Sequence, residues 1–93
     1  MWEGRTTEMD KLFSDRAFDE YFYWMEQDHN VIQRINVLLE DIERKGAEHG
    51  LGKPKRLKYV DVWSRRINDG NQLIYTVEDQ VINIFGCKGH YDD

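Results

Sequence analysis

The stretch Val62-Trp63-Ser64-Arg65-Arg66-Ile67-Asn68-Asp69-Gly70-Asn71-Gln72-Leu73-Ile74-Tyr75-Thr76-Val77 decides the fold. Its side chains alternate with a period of two, the repeat of a strand whose successive residues point to opposite faces. Trp63, Arg65 and Ile67 fall on one face, and Val62, Ser64 and Arg66 on the other. The two adjacent arginines must therefore diverge, and only one of them can share a face with any single site. Asn68-Asp69-Gly70-Asn71 reads as a hairpin turn, with Asp-Gly supplying the φ > 0 positions. On the return, Leu73, Tyr75 and Val77 point one way, and Gln72, Ile74 and Thr76 the other. Glu78-Asp79-Gln80 turns the chain again. Residues 81–87 are apolar nearly throughout and read as a third, central strand of the meander.

Upstream, the period is that of a helix. Ser14 is placed to cap a first helix, with Asp15 at its positive end. Phe18, Tyr21, Phe22 and Met25 follow at i, i+3, i+4 and i+7, widened by Ala17 and Trp24. An aromatic stripe at this spacing reads as core. Residues 27–30 break the pattern. A second helix is expected over about residues 31–44, with Val31, Ile32, Ile35, Leu38, Leu39 and Ile42 inward and Glu40, Asp41 and Glu43 outward. Gly46 is its stop, after Arg44 and Lys45. A short connection makes the two helices an antiparallel hairpin. Lys11-Leu12-Phe13 is a candidate first strand. Helices followed by consecutive strands give an α+β fold, with the helix pair covering one face of an antiparallel sheet.

Ninety-three residues allow one domain. Residues 1–8 lack periodicity and read as an N-terminal extension. The hydrophobic content of 40 % supports a folded core, and the 33 % charge is mixed in sign. No apolar run is long enough to span a membrane, and none near the start suits a signal peptide. Cys87, the single cysteine, cannot form an internal disulfide, and a reducing cytoplasm is the expected location. His29, His49 and His90 show no metal-ligand spacing, so neither metal nor cofactor is called for.

The charge is unevenly placed. Residues 53–66 hold Lys53, Lys55, Arg56, Lys58, Arg65 and Arg66 against one acid, Asp61, in a chain whose net charge is −5. Solvated strand and loop charges are the commoner meaning of such a run. A basic island in an acidic chain also suits an anionic partner such as phosphate. Near the end stands His90-Tyr91, which the last strand can return to the face opposite the helices. Attack of an RNA 2′-hydroxyl on the adjacent phosphorus needs a base, an acid and cations around the phosphoryl group. A histidine serves proton transfer near neutral pH. A tyrosine stacks or donates a hydrogen bond, and lysines and arginines hold phosphate. By residue type alone, a general anion- or protein-binding surface remains open beside this chemistry.

Several ordered motifs carry a more specific likeness: residues 14–24 (SDRAFDEYFYW), Gly52-Lys53-Pro54 followed by Leu57-Lys58, Trp63-Ser64-Arg65-Arg66-Ile67, Leu73-Ile74-Tyr75 and Cys87-Lys88-Gly89-His90-Tyr91. Over about residues 9–91 the chain resembles the YoeB family of bacterial toxins, within the RelE/ParE superfamily of toxin–antitoxin systems. The resemblance implies a small α+β ribonuclease that cleaves mRNA in the ribosomal A site without a cofactor. It also implies silencing by a YefM-like antitoxin, and a homodimer. His90 then matches the general acid and Tyr91 the C-terminal tyrosine. Arg66 and Lys58 match basic residues of the site; by residue type alone Lys53, Lys55, Lys58 and one or both of Arg65 and Arg66 are the candidate phosphate ligands.

The chain departs from the family at two positions. Lys55 stands where the family carries the glutamate proposed as general base, and Gln72 where it carries an arginine. Asp92 and Asp93 follow the His-Tyr pair, the segment between Lys58 and Trp63 is slightly shorter than usual, and the chain is acidic where such toxins are basic. Two readings result. One is a ribonuclease with a rebuilt site in which Lys55 holds phosphate or takes the proton. The other is a weakened or inactive homologue that binds an antitoxin or another protein. The gyrase-directed branch of the superfamily is disfavoured by His90-Tyr91 and the Trp-Ser-Arg-Arg run.

Overall fold

A computed structural model of the chain describes residues 9–58 and 61–90. The expected N-terminal extension, Tyr91 and the two terminal aspartates lie outside the described residues. The elements are β1 (Asp10–Phe13), α1 (Asp15–Gln27), α2 (His29–Lys45), β2 (Lys55–Arg56), β3 (Trp63–Asn68), β4 (Asn71–Glu78) and β5 (Val81–Gly86). The five strands form one sheet in the order β1-β5-β4-β3-β2. The meander β3-β4-β5 is antiparallel as expected, and β2 joins it antiparallel to β3. β1 runs parallel to β5, so the sheet is mixed. That pairing follows from the helical hairpin, which crosses over the sheet between the two strands. β5 is interior but not central: β4 holds the middle of the sheet.

The helices begin and end as their sequence dictates. The Ser14 hydroxyl accepts from the Ala17 N–H at 3.1 Å. Asp28 alone connects the helices, closing α1 through its N–H and capping α2 by accepting from the Asn30 N–H. Gly46 ends α2 at φ 87°. Val31, Ile35, Leu38, Leu39 and Ile42 of α2 pack with Ala17 on Ile67, Leu73, Tyr75, Ile82 and Ile84 of the sheet. This is one core between the helix pair and one sheet face.

Three expectations are corrected. The aromatic stripe of α1 is core only in part. Ala17 is the buried residue of that helix, while Phe18 and Phe22 are 59 % and 50 % exposed, and Met25 is exposed as well. The helix is rotated so that Ala17, Tyr21 and Trp24 face inward, which lets the small Ala17 bring the helix close to the sheet. The turn at residues 68–71 does not use Asp-Gly in the left-handed region. The Asn68 side chain accepts from the Gly70 N–H and the Asn71 amide instead, and the ladder is irregular between Arg66 and Asn68. Positive φ falls at the other turn, at Asp79 (51°) and Gln80 (65°). Finally, Asp41 is not on the wet side of α2.

Asp41 is buried with Arg65, both essentially without solvent exposure. Arg65 uses all five of its donors. Nε donates to the Tyr75 hydroxyl at 2.9 Å, and Nη1 to Asp41 Oδ2 at 2.6 Å and the Leu51 carbonyl at 3.0 Å. Nη2 donates to the Gly46 and His49 carbonyls at 2.8 and 2.6 Å. The Tyr75 hydroxyl passes on a bond to the Ala47 carbonyl at 2.7 Å. The Leu51 N–H donates to Asp41 Oδ2 at 2.8 Å. The segment between Gly46 and Leu51 is thereby wrapped around one guanidinium. Gly50 must be glycine, because a Cβ there would meet Asp41 Oδ2 at 1.9 Å, and its φ is +119°.

Burial alone would raise the Asp41 carboxyl. The Leu51 N–H and the Arg65 guanidinium outweigh burial and hold it below its ordinary value of 3.8. A lowered folded value means that the stabilisation is fully present above the unfolded value and is lost as pH falls through the folded one. Asp41→Asn leaves the buried Arg65 charge uncompensated and is expected to cost about 3–5 kcal/mol at pH 7. Urea denaturation of both proteins across pH 7 to 2 checks this. The gap between them should hold down to the aspartate range and close below it.

Candidate phosphate-binding face and the His90 tail

The pleat sorts the basic residues. In the antiparallel ladder Lys55 lies opposite Ser64, Ser64 opposite Ile74, and Arg66 opposite Gln72. Directly paired residues share a face, and alternate residues along a strand share it too. Lys55, Ser64, Arg66, Gln72 and Ile74 therefore stand on the face away from the helices. Arg56 pairs with Trp63 and belongs to the other side, at the sheet edge, with Asp61 at 3.5 Å. The two arginines diverge as expected. The candidate role of Arg65 in holding substrate is corrected, since its guanidinium is buried and saturated inside the protein. Arg66 is on the surface, where its Nη2 is paired with Asp69.

A row of backbone bonds spans this face. The Gly52 carbonyl accepts from the Arg66 N–H at 2.6 Å, Arg66 pairs with Gln72, and the Gln72 N–H donates to the Gly89 carbonyl at 3.0 Å. Three strand spacings at roughly 4.8 Å separate Gly52 from Gly89 by about 14 Å. Lys53 and His90 follow immediately at the two ends of that row, both exposed. Gly52, at φ +81°, lies so close to β3 that a Cβ would meet the Arg66 carbonyl oxygen at 3.0 Å and Arg65 Cβ at 3.1 Å. Lys53 itself has φ 53°. Lys58 is exposed beyond β2. The structure thus brings Lys55, Arg66 and Gln72 to one side of the sheet, with Lys53 at its margin and the chain before His90 bonded to the β4 backbone at Gln72.

The residues that hold the tail were not read from the sequence. Beyond β5, Glu20 Oε1 accepts from the Cys87 N–H at 2.7 Å, and the Trp24 indole donates to the Cys87 carbonyl at 2.9 Å. Asn71 Oδ1 accepts from the Gly89 N–H at 2.8 Å. The Lys88 ammonium lies 4.9 Å from the centre of the Tyr23 ring. The bonds from α1 join residues more than sixty positions apart, so no local pattern marks them. Cys87 itself is buried. Burial, with the Glu20 charge adding to it, pushes its thiol up to about 12, and it stays protonated at neutral pH. Among the described residues, no group of three or more His, Cys, Asp and Glu side chains is placed to hold a metal, and no helix is long and apolar enough to cross a membrane.

Comparison with known proteins gives this geometry its context. Residues 13–91 match the family described as YoeB-like toxin of bacterial type II toxin-antitoxin system. Toxin YoeB of Escherichia coli K12 is 39 % identical over 85 residues, which are 89 % of this chain and all of that protein. A YoeB dimer from Staphylococcus aureus superposes with a TM-score of 0.87 at 43 % identity, covering 90 % of this chain and 99 % of that one. The heterotetrameric YoeB-YefM toxin-antitoxin complex from the same organism gives 0.85 at 43 % identity and the same coverage.

If the Lys55–Arg66 face holds phosphates, Arg66→Ala weakens binding of a short single-stranded RNA and lowers the slope of log affinity against log salt by roughly 0.7, the share of one phosphate contact. Arg56→Ala, on the other side of the ladder, leaves the slope unchanged. Fluorescence anisotropy over a salt series measures both.

Proposed function

The chain belongs to the YoeB-like toxins of bacterial type II toxin–antitoxin systems, and from that premise we propose that it is a ribosome-dependent mRNA endoribonuclease. The observation that carries this reading is the gathering of Lys55, Arg66 and Gln72 on one sheet face, with the chain that leads to His90 bonded to the backbone of Gln72. In the proposed reaction the 2′-oxygen attacks the adjacent phosphorus and the bond to the 5′-oxygen breaks. His90, in its protonated form, gives its proton to that leaving oxygen. Arg66 and Lys55 offset the charge that builds on the phosphoryl oxygens. The 2′-hydroxyl proton leaves to water. Lys53 and Lys58 hold flanking phosphates, Gln72 offers an amide to the same strand, and Tyr91 stacks on a base. No metal enters these steps.

The partners follow from the same premise. A YefM-like antitoxin silences the protein, the ribosome presents the mRNA, and two copies associate; the similar Staphylococcus aureus protein is seen in a YoeB-YefM complex and as a YoeB dimer. The exposed Phe18, Phe22 and Met25 of α1 supply apolar surface for such association. The cytoplasm is where all these partners meet.

A second reading is favoured by one observation: Lys55 places an ammonium where the resemblance calls for a carboxylate base, and Gln72 places an amide opposite Arg66 where it calls for a second cation. On that reading the protein keeps the fold and binds an antitoxin but cleaves weakly or not at all.

Translation of a defined mRNA on purified bacterial ribosomes, read by primer extension, separates the two. The nuclease reading expects cuts that require ribosomes and fall at least 100-fold with His90→Ala. The second reading expects no cuts from folded wild-type protein, and cuts from the combined Lys55→Glu and Gln72→Arg variant.

A further inference from the structure

The tail that carries His90 is held from two sides, and the hold on one side comes from a helix otherwise loosely committed to the core. Both polar groups of Cys87 are occupied by α1: the N–H by Glu20 Oε1 at 2.7 Å, and the carbonyl by the Trp24 indole N–H at 2.9 Å. Glu20 is itself oriented by Arg16, whose Nε donates to Oε2 at 2.9 Å. Both polar groups of Gly89 are occupied by the start of β4: the N–H by Asn71 Oδ1 at 2.8 Å, and the carbonyl by the Gln72 N–H at 3.0 Å. Two peptide units separated by one residue are thus fixed in direction, and His90 follows the second directly. Gly89, at φ +90°, makes the bend between them.

We propose that Glu20 and Trp24 are positioning residues for His90, setting where its imidazole stands relative to the Arg66–Gln72 pair. The proposal rests on the nuclease reading and names residues of α1 that the likeness in the His-Tyr and Trp-Ser-Arg-Arg motifs does not assign to the reaction. The physical case is one of alternatives. Glu20 is a carboxylate with a largely buried side chain, 16 % exposed. Its acceptors serve a backbone N–H at the end of β5 and its own helix neighbour rather than water. Ala17 is the buried residue of α1, so the helix needs no carboxylate to dock there. Without Glu20 the Cys87 N–H loses its partner, and from α1 the Trp24 indole is left to hold the Cys87 carbonyl. An acid must lie within hydrogen-bond reach of the oxygen it protonates, and a displacement of about 1 Å in a catalytic group costs up to 100-fold in rate.

The test uses the full chain with Glu20→Ala, Glu20→Gln and Trp24→Phe. Amide hydrogen exchange reports the clamp independently of any activity. Glu20→Ala is expected to speed exchange at Cys87 at least tenfold while Leu73, in the core, is unchanged. On ribosomes, Glu20→Ala and Trp24→Phe are expected to lower kcat about 10- to 100-fold with KM within twofold. Glu20→Gln, whose amide oxygen still accepts from Cys87, recovers most of both. Parallel loss of protection at Leu73 would mean that Glu20 acts on the whole fold and would overturn the proposal. So would an unchanged kcat in Glu20→Ala when wild type cuts. If wild type itself does not cut, the nuclease reading fails and the proposal falls with it, an outcome distinct from wild-type cleavage that Glu20→Ala leaves intact.

Discussion

The Arg65–Asp41 pair is the interaction on which the rest of the molecule depends. A guanidinium without solvent contact on the middle of β3 would be prohibitive to bury alone. It is stable here because its charge is met by Asp41 from α2 and every remaining N–H by an oxygen. Apart from the Tyr75 hydroxyl, those oxygens are the Gly46, His49 and Leu51 carbonyls of the segment after α2, which has little apolar content of its own to fold upon. A stretch of glycines, a glutamate and a histidine thus acquires one conformation by coordinating a cation. The direction in which the chain leaves that cage is fixed with it. Gly52 is then laid against β3, and Lys53 and Lys55 are delivered to the sheet.

The neighbouring residue shows the other use of the same chemistry. Arg65 and Arg66 differ by one step of the pleat, and that step carries one to the interior and the other to the surface. Six basic side chains between residues 53 and 66 therefore do not make one uniform patch. Arg65 is neutralised inside, Arg56 leans to Asp61 at the edge, and Arg66 is paired with Asp69. No ion pair among the described residues engages Lys53 or Lys55. A surface pair such as Arg66–Asp69 contributes at most about 1 kcal/mol, so a phosphate can exchange for Asp69 at little cost.

Much of the architecture was legible because it is local. Ser14, Asp28 and Gly46 end or begin helices through their own backbones, and the period of two in residues 62–77 is a property of adjacent positions. The divergence of Arg65 and Arg66 followed from that period alone. What could not be read was which apolar stripe wins when a helix offers more than one. Ala17, Tyr21 and Trp24 lie on one side of α1, and Phe18, Phe22 and Met25 on another. The spacing placed both sets on one broad core face, but close approach to the sheet selected the set with the small residue. Asp41 was misplaced for a related reason. A charged residue on a helix is read as wet unless its partner is known, and that partner is twenty-four positions away. The site was half legible in the same sense. Arg66, Lys55 and His90 stand in motifs, whereas Glu20, Trp24 and Asn71 reach the tail through contacts that exist only once the fold has formed.

The exposed stripe and the tail clamp occupy opposite needs of one helix, and this links association to the site in physical terms. Phe18 and Phe22 stack at a ring-centre distance of 6.2 Å on the outside of α1, while Glu20 and Trp24 of the same helix hold Cys87. With Ala17 as its buried residue, α1 draws less from the core than α2 does. Covering Phe18 and Phe22 would remove apolar surface from water at roughly 25 cal/mol per Å2 and hold the helix more firmly in place. Firmer placement of α1 is firmer placement of Glu20 and Trp24, and hence of the peptide that leads to His90. Association on that face and order in the tail are therefore expected to rise together, because both act through the position of a single helix.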